Sequence, residues 1–200
     1  INKKIIIIRI IKQLEKFGIN YFIFPLGYKK EFFIKFFNSK KNIKKFNFNV
    51  VKSFDEIKKS KININYFNAG KKTSKLDRIS KSLKKIKSDN FLITYGDGLA
   101  NINIKKLFSS YFRDKEKKIY LTSYRKRSQY GHLKVNNKKF VKSFIEKPVL
   151  KDPVNIGFYV FNKVIFNKNY KSNLELESNF LPKLIRNKLL KYHLHTGYFF

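Results

Sequence analysis

The sequence predicts an α/β fold. Three observations carry the expectation. In the first half, apolar runs of strand length alternate with segments of helical period. One run, Phe91–Tyr95, is continuously apolar, as a buried parallel strand is, and breaks off at Gly96-Asp97-Gly98. In the second half, short alternating runs follow one another closely, so the sheet is expected to be mixed. Strand–helix alternation implies parallel neighbours joined by right-handed crossovers. With no internal repeat and no Pro/Gly/Ser-rich linker, residues 1–200 read as a single domain.

The elements follow in order. Ile5, Ile8, Ile11 and Leu14 recur at helical spacing, predicting a helix over 5–17 that Gly18 stops. Tyr21–Leu26 is a short apolar strand, and Glu31–Phe37 an amphipathic helix. Phe46–Val51 and Ile62–Phe67 alternate as strands do, and Leu76, Ile79, Leu83 and Ile86 predict a helix over 74–86. After the Phe91–Tyr95 strand, Ile104–Phe112 reads as a short helix. Ile119–Tyr124, His132–Val135 and Phe140–Ile145 read as strands, with Asn136-Asn137 turning between the last two. Val154–Phe161 is a further strand, Leu181–Leu190 a helix and Tyr192–His195 a final strand.

The chain carries a formal charge of +33, which points first to nucleic acid, anionic membranes or phosphorylated substrates. However, 40 of its 46 basic residues are Lys, spread from end to end, and Ala occurs twice. That bias matches AT-rich codon usage, whereas a nucleic-acid binder concentrates Arg and Lys on one face. No specific nucleic-acid partner is therefore expected. The absence of Cys excludes disulfide scaffolds, Cys-based zinc sites and thiol catalysis. No apolar run reaches the roughly 18 residues of a membrane span, so no membrane partner and a cytoplasmic location are expected. Arg9 and Lys12 interrupt the first apolar run, which makes it a poor signal peptide.

Three stretches could carry chemistry. Asp97 is a lone carboxylate between two glycines at a strand end, where α/β folds open onto their ligand crevice. An Asp there suits a hard cation such as Mg2+ beside phosphate oxygens, and it equally suits an Asp-Gly turn. Glu146-Lys147-Pro148 offers an acceptor for sugar hydroxyls and a point charge for phosphate, or simply a charged strand end. Asn155 interrupts an apolar strand and needs a partner there. His193 and His195 share a strand face with no third metal ligand nearby. There is no Gly-x-Ser-x-Gly elbow and no Walker phosphate loop.

In order and spacing these stretches resemble the sugar-1-phosphate nucleotidyltransferases, and within them the glucose-1-phosphate cytidylyltransferase branch. Phe17-Gly18-Ile19 and Leu26-Gly27-Tyr28 are similar to the helix and strand that follow the family's nucleotide loop. Asn68-Ala69-Gly70-Lys71-Lys72-Thr73 through Arg78 resembles Asp-Thr-Gly-x-x-Thr-x-Thr-Gly-Gly-Arg, and Thr94–Gly98 matches Thr-Tyr-Gly-Asp-Gly. Tyr130-Gly131-His132-Leu133 resembles the sugar loop, and Glu146-Lys147-Pro148 matches outright. Val154–Phe161, Glu177–Leu184 and His195–Phe199 resemble the family's later segments.

The resemblance implies a Rossmann-like, GT-A-like three-layer sandwich with a mixed, mainly parallel sheet. It implies attack by a sugar 1-phosphate on a nucleoside triphosphate with loss of pyrophosphate, in nucleotide-sugar and polysaccharide biosynthesis. By resemblance Asp97 holds Mg2+, and Lys147 and Arg78 join it as catalytic residues. Gly131, Glu146, Asn155, Gly157 and Glu177 surround the sugar; Gly70, Thr73 and Gly96 lie at the nucleotide. A homo-oligomer is compatible with the sequence. Departures are Asn68 and Ala69 for Asp and Thr, Lys75-Leu76-Asp77 for Thr-Gly-Gly, and Ile156 for the first Gly of a pair. The family's Gly-x-Gly-Thr-Arg loop and its second metal-binding Asp have no counterpart in the 200 residues, so the chain is expected to be a fragment with impaired turnover. The competing readings are a degenerate sugar-nucleotide-binding relative and a basic nucleic-acid binder. A glycosyltransferase lacks its Asp-x-Asp motif here.

Overall fold

The computed structural model describes residues 5–116 and 118–199. Its first sheet is parallel, in the order β1 (Tyr21–Leu26), β3 (Ile62–Asn68), β2 (Phe48–Val50). The second has the order β4 (Asn90–Thr94), β8 (Val154–Asn162), β5 (Ile119–Tyr124), β9 (Leu190–His195). There β8 is antiparallel to both neighbours, and β9 is parallel to β5. A separate hairpin pairs β6 (His132–Val135) with β7 (Val141–Ile145).

Helices cover both faces of the sheets, as alternation along β8 makes plain. Ile156, Phe158 and Val160 pack in one apolar cluster with α1 (Ile6–Glu15), Phe37 of α2 (Lys30–Asn38) and α5 (Ile104–Arg113). Tyr159 and Phe161 point the other way, into a cluster with α4 (Lys75–Leu83), α6 (Lys163–Asn169) and α7 (Leu181–Arg186). Successive strand residues face opposite sides, so the two clusters are the two interfaces of a three-layer α/β/α sandwich. The expected fold class is what the chain adopts.

Local chemistry explains the element ends. α1 stops at Gly18, whose φ of 84° suits a residue without a Cβ; Gly18 N–H donates to Glu15 O and Ile19 N–H to Leu14 O. Ser74 caps α4 by accepting the Asp77 N–H, and Asn162 caps α6 by accepting from Val164 and Ile165.

Four expectations are corrected. Phe91–Tyr95 is not a buried parallel strand: β4 pairs antiparallel with β8, and only Phe91 in it is buried. Phe46 ends a helix, α3 (Lys40–Phe46), rather than opening a strand. The helix from Leu181 ends at Arg186, and Leu190 already belongs to β9. Among the described residues the strands fall into three hydrogen-bonded sheets rather than one.

Candidate active site

Strand ends and α4 build the site. β1 ends at Leu26-Gly27 and β4 at Thr94, and the first turns of α4 reach both. The Arg78 guanidinium donates from Nη1 to Pro25 O (2.8 Å), from Nη2 to Gly70 O (2.8 Å) and from Nε to Thr73 O (3.0 Å). Each nitrogen thus meets a backbone carbonyl, which locks the 70–73 loop onto the end of β1. Gly27 leaves room for this: a Cβ there would sit 2.5 Å from Nη2 of Arg78. Thr73 Oγ1 donates back to Ala69 O, and Gly70 takes a φ of 104° against the Thr73 hydroxyl. Gly70, Thr73 and Arg78 are therefore one constellation.

A second constellation joins residues distant in sequence. Tyr95 OH donates to Glu177 Oε1 (2.7 Å), and Lys75 Nζ donates to the same oxygen (2.6 Å). Tyr95 OH lies 2.9 Å from Tyr159 OH, and Asn155 Nδ2 donates to Tyr159 OH (2.5 Å). Because the single Tyr95 proton goes to the carboxylate, Tyr159 donates to Tyr95, and the chain runs Asn155, Tyr159, Tyr95, Glu177. Asn155 Oδ1 also accepts the Gly157 N–H. This satisfies the polar side chain whose place in an apolar strand demanded a partner.

Gly157 makes the network fit. Between the pairs Leu121↔Tyr159 and Ser123↔Asn155 the register shifts, and Gly157 sits in the bulge with a φ of 80°. A Cβ on it would run into the Tyr95 ring. Burial pushes the Tyr95 hydroxyl pKa up, and its bonds to Tyr159 and Glu177 push it further, so it remains a donor. Burial opposes ionisation of Glu177, but the hydrogen bonds from Lys75 and Tyr95 outweigh it and hold the carboxyl below its ordinary range. The same hydrogen bond raises the Lys75 pKa, against the effect of its partial burial. Lys75 also lies over the Tyr95 ring, 5.0 Å from its centre.

Gly96 and Asp97 follow directly on Tyr95, and both are exposed. As for a metal, Asp97 brings one carboxylate, and no group of three or more His, Cys, Asp or Glu side chains that could hold an ion occurs among the described residues. One carboxylate fits Mg2+, which keeps several waters and takes its other ligands from substrate phosphates. His193 lies 3.3 Å from the Ser110 hydroxyl, and His195 Nε2 lies 3.1 Å from Tyr198 O, which gives both rings structural partners.

The third constellation belongs to the hairpin. Glu146 and Lys147 follow β7, are exposed, and lie 3.7 Å apart. Lys147 takes a φ of 44°, unusual for a side chain and more so before Pro148. A Cβ on Gly131 would meet the Phe144 ring and approach Glu146 Oε2 to 3.1 Å, so Gly131 and Glu146 are neighbours. The Ser128 N–H donates to Pro148 O, and the Leu150 N–H to Lys126 O, tying the hairpin's two ends together. Among the described residues no hydrogen bond or ion pair joins these three to the Tyr95–Glu177 network.

Sequence reasoning missed Lys75, noted only as a departure, and the tyrosine pair that connects Asn155 to Glu177. Tyr95 and Tyr159 gave no sign because aromatic residues in strands read as core. Asp77, another departure, has a structural role. It accepts from Tyr170 OH (2.7 Å) and Asn173 N, fixing α4 to the loop after α6. Burial opposes its ionisation, but these bonds and the Ser74 hydroxyl hold its pKa low.

Strand ends that carry a carboxylate and glycine-shaped loops, set between two helical layers, define a class of protein: an α/β fold with its candidate site at the strand ends. The chain belongs to the nucleotidyl transferase family, whose model matches residues 5–200. It is 31% identical to a probable glucose-1-phosphate cytidylyltransferase of Bacillus subtilis, over 99% of this chain and 79% of that protein. It is 28% identical to the glucose-1-phosphate cytidylyltransferase of Salmonella typhimurium, over 84% of this chain and 66% of the relative. Among solved structures, HddC from Yersinia pseudotuberculosis complexed with GMP-PN superposes with a TM-score of 0.65 at 20% identity, covering 97% of this chain and 78% of that one. A UDP-glucose pyrophosphorylase complexed with UDP-glucose gives 0.61 at 16% identity, over 98% and 80%. The expected family and enzyme class are borne out; the structural likenesses speak for the fold. Among the described residues no helix is long and apolar enough to cross a membrane.

Proposed function

We propose that the site joins a sugar 1-phosphate to a nucleoside triphosphate, with CTP and glucose 1-phosphate as the substrates, in nucleotide-sugar biosynthesis. The single observation that carries the reading is the Tyr95–Glu177–Lys75–Asn155 network, set immediately before Asp97. It collects polar side chains suited to ring hydroxyls beside a carboxylate suited to a phosphate-bound cation. The 28–31% identity to glucose-1-phosphate cytidylyltransferases favours this base and this sugar.

In the reaction an oxygen of the sugar phosphate attacks the α-phosphorus. The bond from that phosphorus to the bridging oxygen breaks, and pyrophosphate leaves with the electron pair. Such chemistry depends on positioning and charge neutralisation. Asp97 would hold Mg2+, which when bound would supply positive charge to the phosphate oxygens. Lys147 receives the sugar phosphate as a point charge. Glu146 and Glu177 accept from the sugar hydroxyls and Asn155 accepts or donates, with Gly131 and Gly157 beside the sugar making room for the Phe144 and Tyr95 rings. Gly70, Thr73 and Gly96 face the nucleotide. Arg78 is a positioning residue, since its three nitrogens brace the 70–73 loop. We further propose that turnover by this chain is impaired, since its 200 residues carry neither the family's glycine-rich phosphate loop nor its second metal-binding Asp.

The test is pyrophosphate release from each pairing of the four common nucleoside triphosphates with glucose 1-phosphate and mannose 1-phosphate. CTP with glucose 1-phosphate should be the fastest pair, at a slow rate. A chain inactive with every pair overturns the catalytic reading, and turnover at an ordinary enzymatic rate overturns the impairment.

A further inference from the structure

Among the described residues two cations, Lys75 and Arg78, line the cavity of about 1010 Å3 onto which Gly96 and Asp97 open. They are not equally free. Each nitrogen of the Arg78 guanidinium already donates to a backbone carbonyl, of Pro25, Gly70 or Thr73. Arg78 is spent on the loop it braces.

Lys75 has donors to spare. An ammonium carries three N–H groups and no acceptor. One of them goes to Glu177 Oε1 (2.6 Å), and among the described residues no acceptor takes the other two. The Lys75 side chain is 57% exposed, and its ammonium lies over the ring of Tyr95, the residue just before Gly96. The hydrogen bond to Glu177 raises its pKa, so it stays charged. Nothing in α4 calls for a cation at this place. Lys75 is the first residue of the helix, where the positive end of the backbone dipole disfavours one.

The present partner is one that Lys75 can leave. Glu177 Oε1 takes two donors, Lys75 and Tyr95, so the Tyr95 bond remains when the ammonium moves away. Glu177 is itself half-exposed, and water replaces what is lost. An ion pair as open as this one holds by a factor of about five at most. A phosphate group offers several anionic oxygens, enough to accept from both free N–H groups at once.

We propose that Lys75 is a phosphate-binding residue of this site. Its ammonium leaves Glu177 for the oxygens of a polyphosphate seated at the Gly96-Asp97 turn, so that the anion and Glu177 compete for one cation. The inference rests on reading that turn as a phosphate site. It assigns a role to a position at which the sequence departs from the family pattern, where Lys75 replaces Thr. Competition has a reciprocal signature: whatever weakens the hold of Glu177 on Lys75 strengthens the hold of the anion.

The test is binding without turnover. Inorganic tripolyphosphate is titrated into the protein by calorimetry with Mg2+ present. Physiological salt suppresses the loose attraction of a chain of charge +33 for any polyanion. Lys75→Gln should weaken binding by about tenfold or more. Lys75→Arg, which keeps the charge and the donors, should retain most of it. Lys168→Gln, on α6, should leave binding unchanged. Glu177→Gln releases the ammonium and should tighten binding by about two- to fivefold. In a Lys75→Gln background the same substitution should change nothing, because the ammonium it releases is gone. Thermal unfolding checks that each variant is folded. The inference is overturned if Lys75→Gln binds within about twofold of wild type, if Lys168→Gln weakens binding as much, or if Glu177→Gln tightens binding equally in both backgrounds. A wild type that binds tripolyphosphate without help from Lys75 overturns this inference and leaves the reading of the Asp97 turn standing. A wild type that binds none overturns both.

Discussion

Replacing Gly157 with alanine tests the shape of the sugar-side network. Gly157 has a φ of 80°, and a Cβ on it would collide with the Tyr95 ring. Two costs follow. Holding an alanine in the left-handed region costs about 1–2 kcal/mol. Pushing a packed ring aside costs about 1–3 kcal/mol. Gly157→Ala should therefore lose about 2–5 kcal/mol. At this chain length a loss of about 3 kcal/mol lowers Tm by about 6–12 °C. The two costs separate in a Tyr95→Ala background, where only the backbone cost remains. Urea unfolding of the wild type, both single variants and the double variant should give a coupling of about 1–3 kcal/mol. A Gly157→Ala cost below about 0.5 kcal/mol, or an equal cost in both backgrounds, would refute the reasoning.

Three further outcomes are expected. Arg78→Lys cannot reproduce three carbonyl contacts and should cost about 2–4 kcal/mol by urea unfolding; Gly27→Ala should cost about 1–3 kcal/mol and combine with it less than additively. The Lys75–Glu177 pair is partly exposed and should contribute about 0.2–1 kcal/mol, less in high salt. Its pH dependence has a definite sign. Glu177 has a lowered pKa, so its contribution is present above the ordinary carboxylate value of about 4.3 and is lost as pH falls through the folded one. Lys75 has a raised pKa, so its contribution is present below about 10.4 and is lost as pH rises through the folded value. The stability difference between wild type and Glu177→Gln should thus be flat from about pH 5 to about pH 10 and shrink outside that window. Asp77→Asn should cost about 1–2 kcal/mol by weakening the tie to Tyr170 and Asn173, which thermal unfolding near pH 7 measures.

Much of the fold was legible because hydrophobic period and glycine stops are local signals. Ile8, Ile11 and Leu14 mark the buried side of α1, and Gly18 marks its end, with no help from the rest of the chain. The short helix α3 escaped because Lys40-Lys41-Asn42-Ile43-Lys44-Lys45 offers a single apolar residue to any period. β4 was read as a buried parallel strand because an apolar run reports neither direction nor the depth at which the strand lies. Its antiparallel pairing depends on β8, some 60 residues further on. The site divides in the same way. Asp97, Glu146 and Lys147 stand at strand ends, which the sequence marks with Gly or Pro. The link from Asn155 through two tyrosines to Glu177 and Lys75 depends on a bulge and on contacts 82 and 102 residues apart, which no local pattern encodes.

The account depends most on Asp97 serving phosphate chemistry rather than a solvated turn. The direct measurement is Mg2+-dependent pyrophosphate release by this protein and its Asp97→Asn variant, with CTP and glucose 1-phosphate. Thermal unfolding of both proteins runs alongside. Asp97 is exposed, so the variant should unfold within about 2 °C of wild type while its Mg2+-dependent rate falls by at least about a hundredfold. An equally stable variant that keeps its rate and its Mg2+ dependence would contradict the account.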